Sequence, residues 1–455
     1  MSVASTAPAT PVTHKRQLVS WLETGAKTPD RWRIGTEHEK FLFDLETLRP
    51  IPSEGEYGIG GILDEMQAFK WQPVMEGENV IGLKRGEEAI SLEPGGQFEL
   101  SGAPLVSLHD TAAEFYHHLD EVGSVGRMLG FGALGMGFQP KWTRDDIPWM
   151  PKGRYKIMRD YMPKVGQLGL DMMTRTCTVQ VNLDFADERD MVQKMRVALA
   201  LQPVVGAIFA SSPFKEGRPT GDYSTRNRIW QDTDNARCGP LDFAFQSFGF
   251  EQYVDWALQV PMYFVYRDGR YIDVAGASFA DFMEGRLAQL PGVVPTMADW
   301  ADHLTTLFPV VRLKRYIEMR GADMGSPDMT LALPALWTGL MYDKVALDEA
   351  EQLVIEWSAA DRAALHTNSP RLTLQDEIRP GRTLQQVGRD IVRIATDGLK
   401  RRHIDSYSSA NESVFLHPLH NIIDYGVTHA EDLLRRYFDE WDRDINRVFQ
   451  LCRIA

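Results

Sequence analysis

Near the N-terminus stand Glu37-His38-Glu39, two carboxylates separated by one residue. In an extended chain alternate side chains project to the same face, so Glu37 and Glu39 share one side of a strand and His38 takes the other. Like charges held that close repel. A divalent cation that takes oxygen ligands relieves the repulsion, and Mg²⁺ is bound in this way by a few carboxylates together with substrate phosphates. The pattern recurs in Ser91-Leu92-Glu93-Pro94-Gly95-Gly96-Gln97-Phe98-Glu99, where Pro94-Gly95-Gly96 bends the chain and returns Glu93 and Glu99 towards a common site. In a third segment Tyr316, Glu318 and Arg320 share a face. The carboxylates Glu37, Glu39, Glu93, Glu99 and Glu318 thus come from three segments of one design and suit two or more Mg²⁺ ions. The chemistry natural to such ions is phosphoryl transfer, with arginines neutralising the developing charge.

Strands must hold these groups. The opening strand is expected at 33–43, and short runs cut by Gly and Asn over 72–101 predict an antiparallel meander with a turn at Glu76-Gly77-Glu78-Asn79. The clearest alternation is Arg175 to Phe185: Thr176, Thr178, Gln180, Asn182 and Asp184 on one face, Cys177, Val179, Val181, Leu183 and Phe185 on the other. A polar face backed by apolar residues predicts a sheet that lines a wet cavity. Helical periodicity places helices at 14–25, about 62–69, 108–129, 153–162 and 187–211, the last kinked by Pro203. A hairpin is expected at 261–273 and helices at 278–285 and 297–306. From Leu331 the pattern is almost purely helical, with segments near 346–357, 359–366, 383–400 and 429–449. The stretch 211–237 reads as a long turn-rich loop in which Arg226 and Arg237 near Trp230 suit a carboxylate or phosphate. The fold class is therefore α+β, an antiparallel sheet with one polar face wrapped by helices. Residues 1–12 are expected as a disordered lead-in and 13–455 as a single large catalytic domain whose part from about 330 is helical.

Several chemistries are excluded. Gly130-Phe131-Gly132-Ala133-Leu134-Gly135 matches the dinucleotide fingerprint formally, but it lies between a helix and a strand in the wrong order, and no Gly-Lys-Ser/Thr triplet supports a P-loop. His117 and His118 face different directions on one helix, and His417-Pro418-Leu419-His420 contains a helix-breaking proline, so no zinc site is built from them. No Gly-x-Ser-x-Gly elbow is present, and Cys177 faces the apolar side. A net charge of −14 argues against nucleic-acid or anionic-membrane partners, and the longest apolar run, Val197 to Ala210, is too short to span a bilayer. Three cysteines form no disulfide framework, which suggests a reducing compartment, read here as the cytoplasm.

The strings Gly35-Thr36-Glu37-His38-Glu39-Lys40-Phe41, Ser91 to Gly102, Arg175 to Asn182, Ile229 to Asp234 and Tyr316 to Asp323 resemble the plant-type glutamate–cysteine ligases, also called γ-glutamylcysteine synthetases. The resemblance runs from about residue 30 to the C-terminus. It implies a curved antiparallel sheet of the glutamine-synthetase-like kind that holds ATP and Mg²⁺ on its polar face. It also implies ligation of the glutamate γ-carboxylate, through γ-glutamyl phosphate, to the amine of cysteine, the first step of glutathione biosynthesis. Glu37, Glu39, Glu93, Glu99 and Glu318 match the family's acidic metal motifs, with Glu37, Glu318 and Arg320 as catalytic groups. Arg154, Arg226 and Trp230 match positions for the glutamate substrate, with Arg175, Arg237 and Arg320 as further contacts to glutamate or phosphate. The partners implied are small molecules (glutamate, cysteine and ATP), with a monomer or weak homodimer expected. Plant members carry cysteine pairs that act as redox switches, and three cysteines do not map onto them. A ligase with another acceptor amine, or a non-catalytic protein of the same fold, stays open at this point.

Overall fold

The computed structural model describes residues 7–406 and 410–455. Its centre is a nine-stranded sheet. The strands are β1 (Ile34–Asp44), β2 (Gln72–Glu76), β3 (Asn79–Arg85), β4 (Glu88–Leu92), β5 (Phe98–Ser101), β6 (Phe131–Leu134), β7 (Thr178–Leu183), β8 (Val311–Leu313) and β9 (Ile317–Asp323). Their order is β8-β9-β7-β1-β5-β4-β3-β2, all neighbours antiparallel, with β6 on the far half of β1. β1 is the longest of these strands because it serves two sets of partners: its first half pairs with β5 and β7, its second with β6.

The alternation read in the sequence sets the two faces. The back packs on the helices α1 (Leu108–Leu129), α4 (Glu188–Ile208) and α6 (Pro327–Met341), with α7 (Leu384–Arg402) packed behind α6 and α4, and there Val179, Val181, Leu183, Ile317 and Met319 enter one continuous apolar core. The front is roofed by three short helices, α2 (Gly153–Tyr161), α3 (Gly169–Arg175) and α5 (Thr225–Trp230). Gly130 ends α1 with φ of 81° and hands the chain straight to β6, the helix-then-strand order that rules out a dinucleotide loop.

Three expectations need correction. Residues 1–6 of the expected lead-in lie outside the described residues, but 8–12 are docked: Pro8 and Thr10 accept from the amides of Ala298 and Met297 at 3.1 and 2.9 Å, and Val12 is fully buried. The stretch 211–237 is no structureless loop, because Ser224 caps α5 by accepting from the Asn227 amide. Pro418 breaks no helix: it lies in the first turn of His417–Tyr425, where its missing N–H costs nothing.

Candidate active site

Strand register brings the acidic residues together. Glu39 stands directly opposite Glu99, and Glu37 lies between Ser101 on β5 and Gln180 on β7. The Pro94-Gly95-Gly96 turn places Glu93 beside them. It is closed by the Glu93 amide on the Gln97 carbonyl at 2.9 Å, and Gly96 takes φ of 81°. At Gly95 a Cβ would come within 2.5 Å of the Thr174 carbonyl, so this turn packs against the end of α3 only without a side chain.

Glu37, Glu39, Glu93 and Glu99 all line one chamber of about 840 Å³ of empty space. The same chamber is lined by Arg154 from α2, Arg226 and Trp230 from α5, Arg312 and Lys314 from the β8 hairpin and Arg320 from β9. Neighbours fix the orientation of the carboxylates. Asn182 and Gln180 donate to the two oxygens of Glu37 at 3.0 and 3.3 Å, the Thr178 amide donates to Glu39 at 2.9 Å, and Ser91 donates to Glu99 at 2.6 Å. Arg320 donates to Gln180 Oε1 at 2.5 Å, so Gln180 ties Arg320 to Glu37. A β-bulge after Met319 breaks the register with β7 at this point, a local device that re-aims side chains near functional sites.

The carboxylates are not neutralised by their surroundings. Burial, with Glu93 and Glu99 nearby, pushes Glu39 well above the usual carboxylate range, against the weaker pull of Arg226 and the Thr178 amide. A cation with oxygen affinity fits such a set. Among the described residues, however, no three His, Cys, Asp or Glu side chains already converge on one metal position. Mg²⁺ takes only part of its shell from protein and the rest from phosphate and water, so crowded carboxylates suit it without a complete protein cage.

Glu318 differs from expectation. It is fully buried, does not line the chamber, and accepts from Arg312 at 2.5 Å, Arg320 at 2.9 Å and Lys314 at 3.2 Å. Burial alone would raise its pKa, but these three cations overrule it and hold the carboxyl well below its ordinary value. In this arrangement Glu318 organises cations and has no free oxygen for a metal. Arg312 and Lys314, missed in the sequence, are the residues it presents to the chamber. Their signal was the Arg312-Leu313-Lys314 alternation, which puts both on the face of Glu318 across the hairpin.

Arg175 and Arg237 lie outside the chamber. Arg175 is bound to Asp171, to Glu216 at 2.8 Å and to the Trp142 carbonyl at 3.0 Å. Arg237 is bound to Asp234 at 2.6 Å and to the carbonyls of Thr306 and Pro261, and it stacks on Tyr263. By contrast, Arg154 Nε, Arg226 Nε and Nη1 and Trp230 Nε1 are buried without a protein partner, which leaves donors for an anionic ligand. His38 turns away from the chamber into the back layer, edge-on to Phe115.

The family model described as Glutamate-cysteine ligase family 2 matches residues 33–450. The chain is 54% identical over 444 residues to the chloroplastic glutamate–cysteine ligase of Nicotiana tabacum, covering 97% of this chain and 83% of the relative. It is 52% identical over 451 residues to that of Brassica juncea, covering 99% and 85%. A solved glutamate–cysteine ligase from Francisella tularensis, in complex with AMP, superposes with a TM-score of 0.53 at 13% identity, over 93% of this chain and 89% of that one, a likeness of fold alone. The cytoplasmic location expected from the cysteine count does not stand, since these relatives are named chloroplastic. A low number of cysteines reports redox conditions and does not distinguish one reducing compartment from another. The match over nearly the whole length, together with the carboxylate-lined sheet, places the chain in glutamate-cysteine ligase family 2.

Proposed function

We propose that the chain joins the γ-carboxylate of L-glutamate to the amine of L-cysteine, converting ATP to ADP and phosphate, and so carries out the first step of glutathione synthesis. The observation that carries the chemistry is the single chamber lined both by Glu37, Glu39, Glu93 and Glu99 and by Arg154, Arg226, Arg312, Lys314 and Arg320.

A carboxylate is a poor electrophile, and transfer of a phosphoryl group to it creates an acyl phosphate with a good leaving group. The residues divide accordingly. Arg154, Arg226 and the Trp230 N–H, with donors left unpartnered, hold the carboxylates of glutamate and fix its γ end over the sheet. Arg320, Arg312 and Lys314, positioned by Glu318, meet the charge that builds on the transferring phosphoryl oxygens. Glu39, Glu93 and Glu99, with Glu37, are the groups that would hold Mg²⁺. Mg²⁺ held there would supply charge neutralisation to the phosphoryl group. No covalent enzyme intermediate is required, in keeping with the buried position of Cys177 behind the sheet.

The test is ADP release from the intact protein with glutamate, ATP and Mg²⁺, with and without cysteine and across a panel of other amines. Turnover strictly dependent on cysteine supports the reading. Turnover indifferent to cysteine, or none, overturns it.

A further inference from the structure

Behind the wall formed by Arg226, Trp230, Phe308 and Arg320 lies a second chamber of about 790 Å³ of empty space. It runs from the surface, where Asp242 is exposed and Arg362 half-buried, to the inner wall where Arg226 is 2% exposed. Its sides are largely apolar, with Leu199, Pro203, Phe245 and Val310 among them. The acyl-transfer reading uses none of this space.

Gln202 sets it apart from an ordinary void. This side chain lines the chamber, is 3% exposed, and has neither its amide nitrogen nor its amide oxygen hydrogen-bonded. A buried amide without partners is costly, and native structures keep few of them. Its position is also built. At Gly321, in the β9 bulge, a Cβ would approach Gln202 Nε2 to 2.5 Å, so the bulge leaves room for the amide only because that residue is glycine. Next to Gln202, Pro203 supplies no N–H for the Leu199 carbonyl one turn earlier. Arg362 lies over Phe245 at 3.7 Å, donates from Nη1 to the Trp357 carbonyl and has its Nε unpartnered, with Asp242 and Asp361 the acidic groups that act on it.

These groups describe the complement of a ligand. A guanidinium with a free N–H takes a carboxylate, an amide offering both a donor and an acceptor takes another amide, and the apolar walls take an aliphatic group. We propose that this chamber is a second ligand site, separate from the acyl-transfer chamber, for a small N-acyl amino acid or peptide C-terminus. Its carboxylate binds Arg362, its amide binds Gln202, and its side chain lies against Pro203 and Phe245.

The test is calorimetric titration of the full chain with N-acetyl-L-leucine, using N-acetyl-L-leucinamide as the carboxylate-free control, in the presence of saturating glutamate. The expected result is saturable binding of one N-acetyl-L-leucine and binding of the amide weaker by about tenfold or more, the scale of one lost charged contact. Arg362→Gln and Gln202→Leu should each weaken N-acetyl-L-leucine by a similar factor while leaving cysteine-dependent turnover without the probe within about twofold. Gln202→Leu removes two orphaned polar atoms and should fold at least as well as the parent; Arg362→Gln, near the mouth, is the second variant. No saturable binding, binding abolished by glutamate, or equal affinity in both variants would overturn the proposal. The titration needs no turnover, so it stands or falls independently of the ligase reading.

Discussion

At the scale of single residues, Glu39 is the most strained group of the acyl-transfer chamber. It faces Glu99 directly across two strands, a like-charge pair that the sheet must hold together against repulsion. Glu39→Gln removes that repulsion along with a proposed ligand for Mg²⁺. ADP release should fall by about 100-fold or more, while the melting temperature in metal-free buffer stays equal to the parent's or rises. A Glu39→Gln protein that turns over at near-parental rate would take Glu39 out of the site. The arginines separate in the same way. Arg226→Ala should lower kcat/KM for glutamate by about 100-fold, the cost of one buried charged contact, with ATP dependence unchanged. Arg175→Ala should leave glutamate KM alone and cost about 3 kcal/mol of stability, because buried Asp171 loses its nearest cation and keeps only Arg144 at 3.6 Å and Lys215 at 3.7 Å. Denaturant melts and glutamate titrations of the two variants distinguish these outcomes. The same comparison shows what the sequence could tell. Asp171 four residues before Arg175, and Asp234 three before Arg237, are helical-spacing partners that already pointed to structural roles. The cations around Glu318 were less legible, because Arg312 becomes its neighbour only through the β8–β9 pairing.

At the scale of elements, β1 presents charge on both faces, and the back is the unusual one. Lys40 is fully buried beneath α1, with Nζ 3.3 Å from the Phe98 carbonyl and 3.0 Å from His118 Nε2. Burial is the largest influence on it and lowers its pKa from 10.5 to about 7, even though Cys177, Glu99 and Glu39 pull the other way. Between those two values the unfolded chain holds more protons than the folded one, so stability climbs as pH rises from about 7 and is lost as pH falls back towards it. Lys40→Met should abolish that slope, so its gain over the parent is greatest at pH 7 and disappears near pH 10; melting curves at pH 7, 8 and 9 read this directly. Equal slopes in parent and variant would mean that Lys40 is not the source. Polar-versus-apolar alternation located β1, β7 and β9 correctly, since burial on one face imposes a period of two. It failed at 211–237, where a capping serine starts a six-residue helix too short to show periodicity, and at Pro418, where the proline sits in a helix's first turn rather than its interior.

At the scale of the whole molecule, the strand order could not be read from the sequence. Alternation says which face a strand shows and nothing about its neighbour, and β7 inserts beside β1, with β9 beside β7, rather than following the meander. The bond from Gln180 to Glu37 spans 143 residues, and the cations of β8 and β9 arrive later still. Non-local pairings of this kind pay loop-closure entropy before any contact rewards them, so the sheet should form slowly. On a path where β1 pairs with β5 first, their carboxylates confront one another before Arg312, Lys314 and Arg320 have joined the wall. Their repulsion then belongs to the folding barrier. Refolding from denaturant should therefore quicken with millimolar Mg²⁺ more than with a monovalent salt of equal ionic strength, and Glu39→Gln should fold at the faster rate without it. A refolding rate blind to Mg²⁺ would show that the acidic cluster closes after the barrier. If the acceleration is found, the ion serves first as a template for the sheet and only later as an aid to its chemistry.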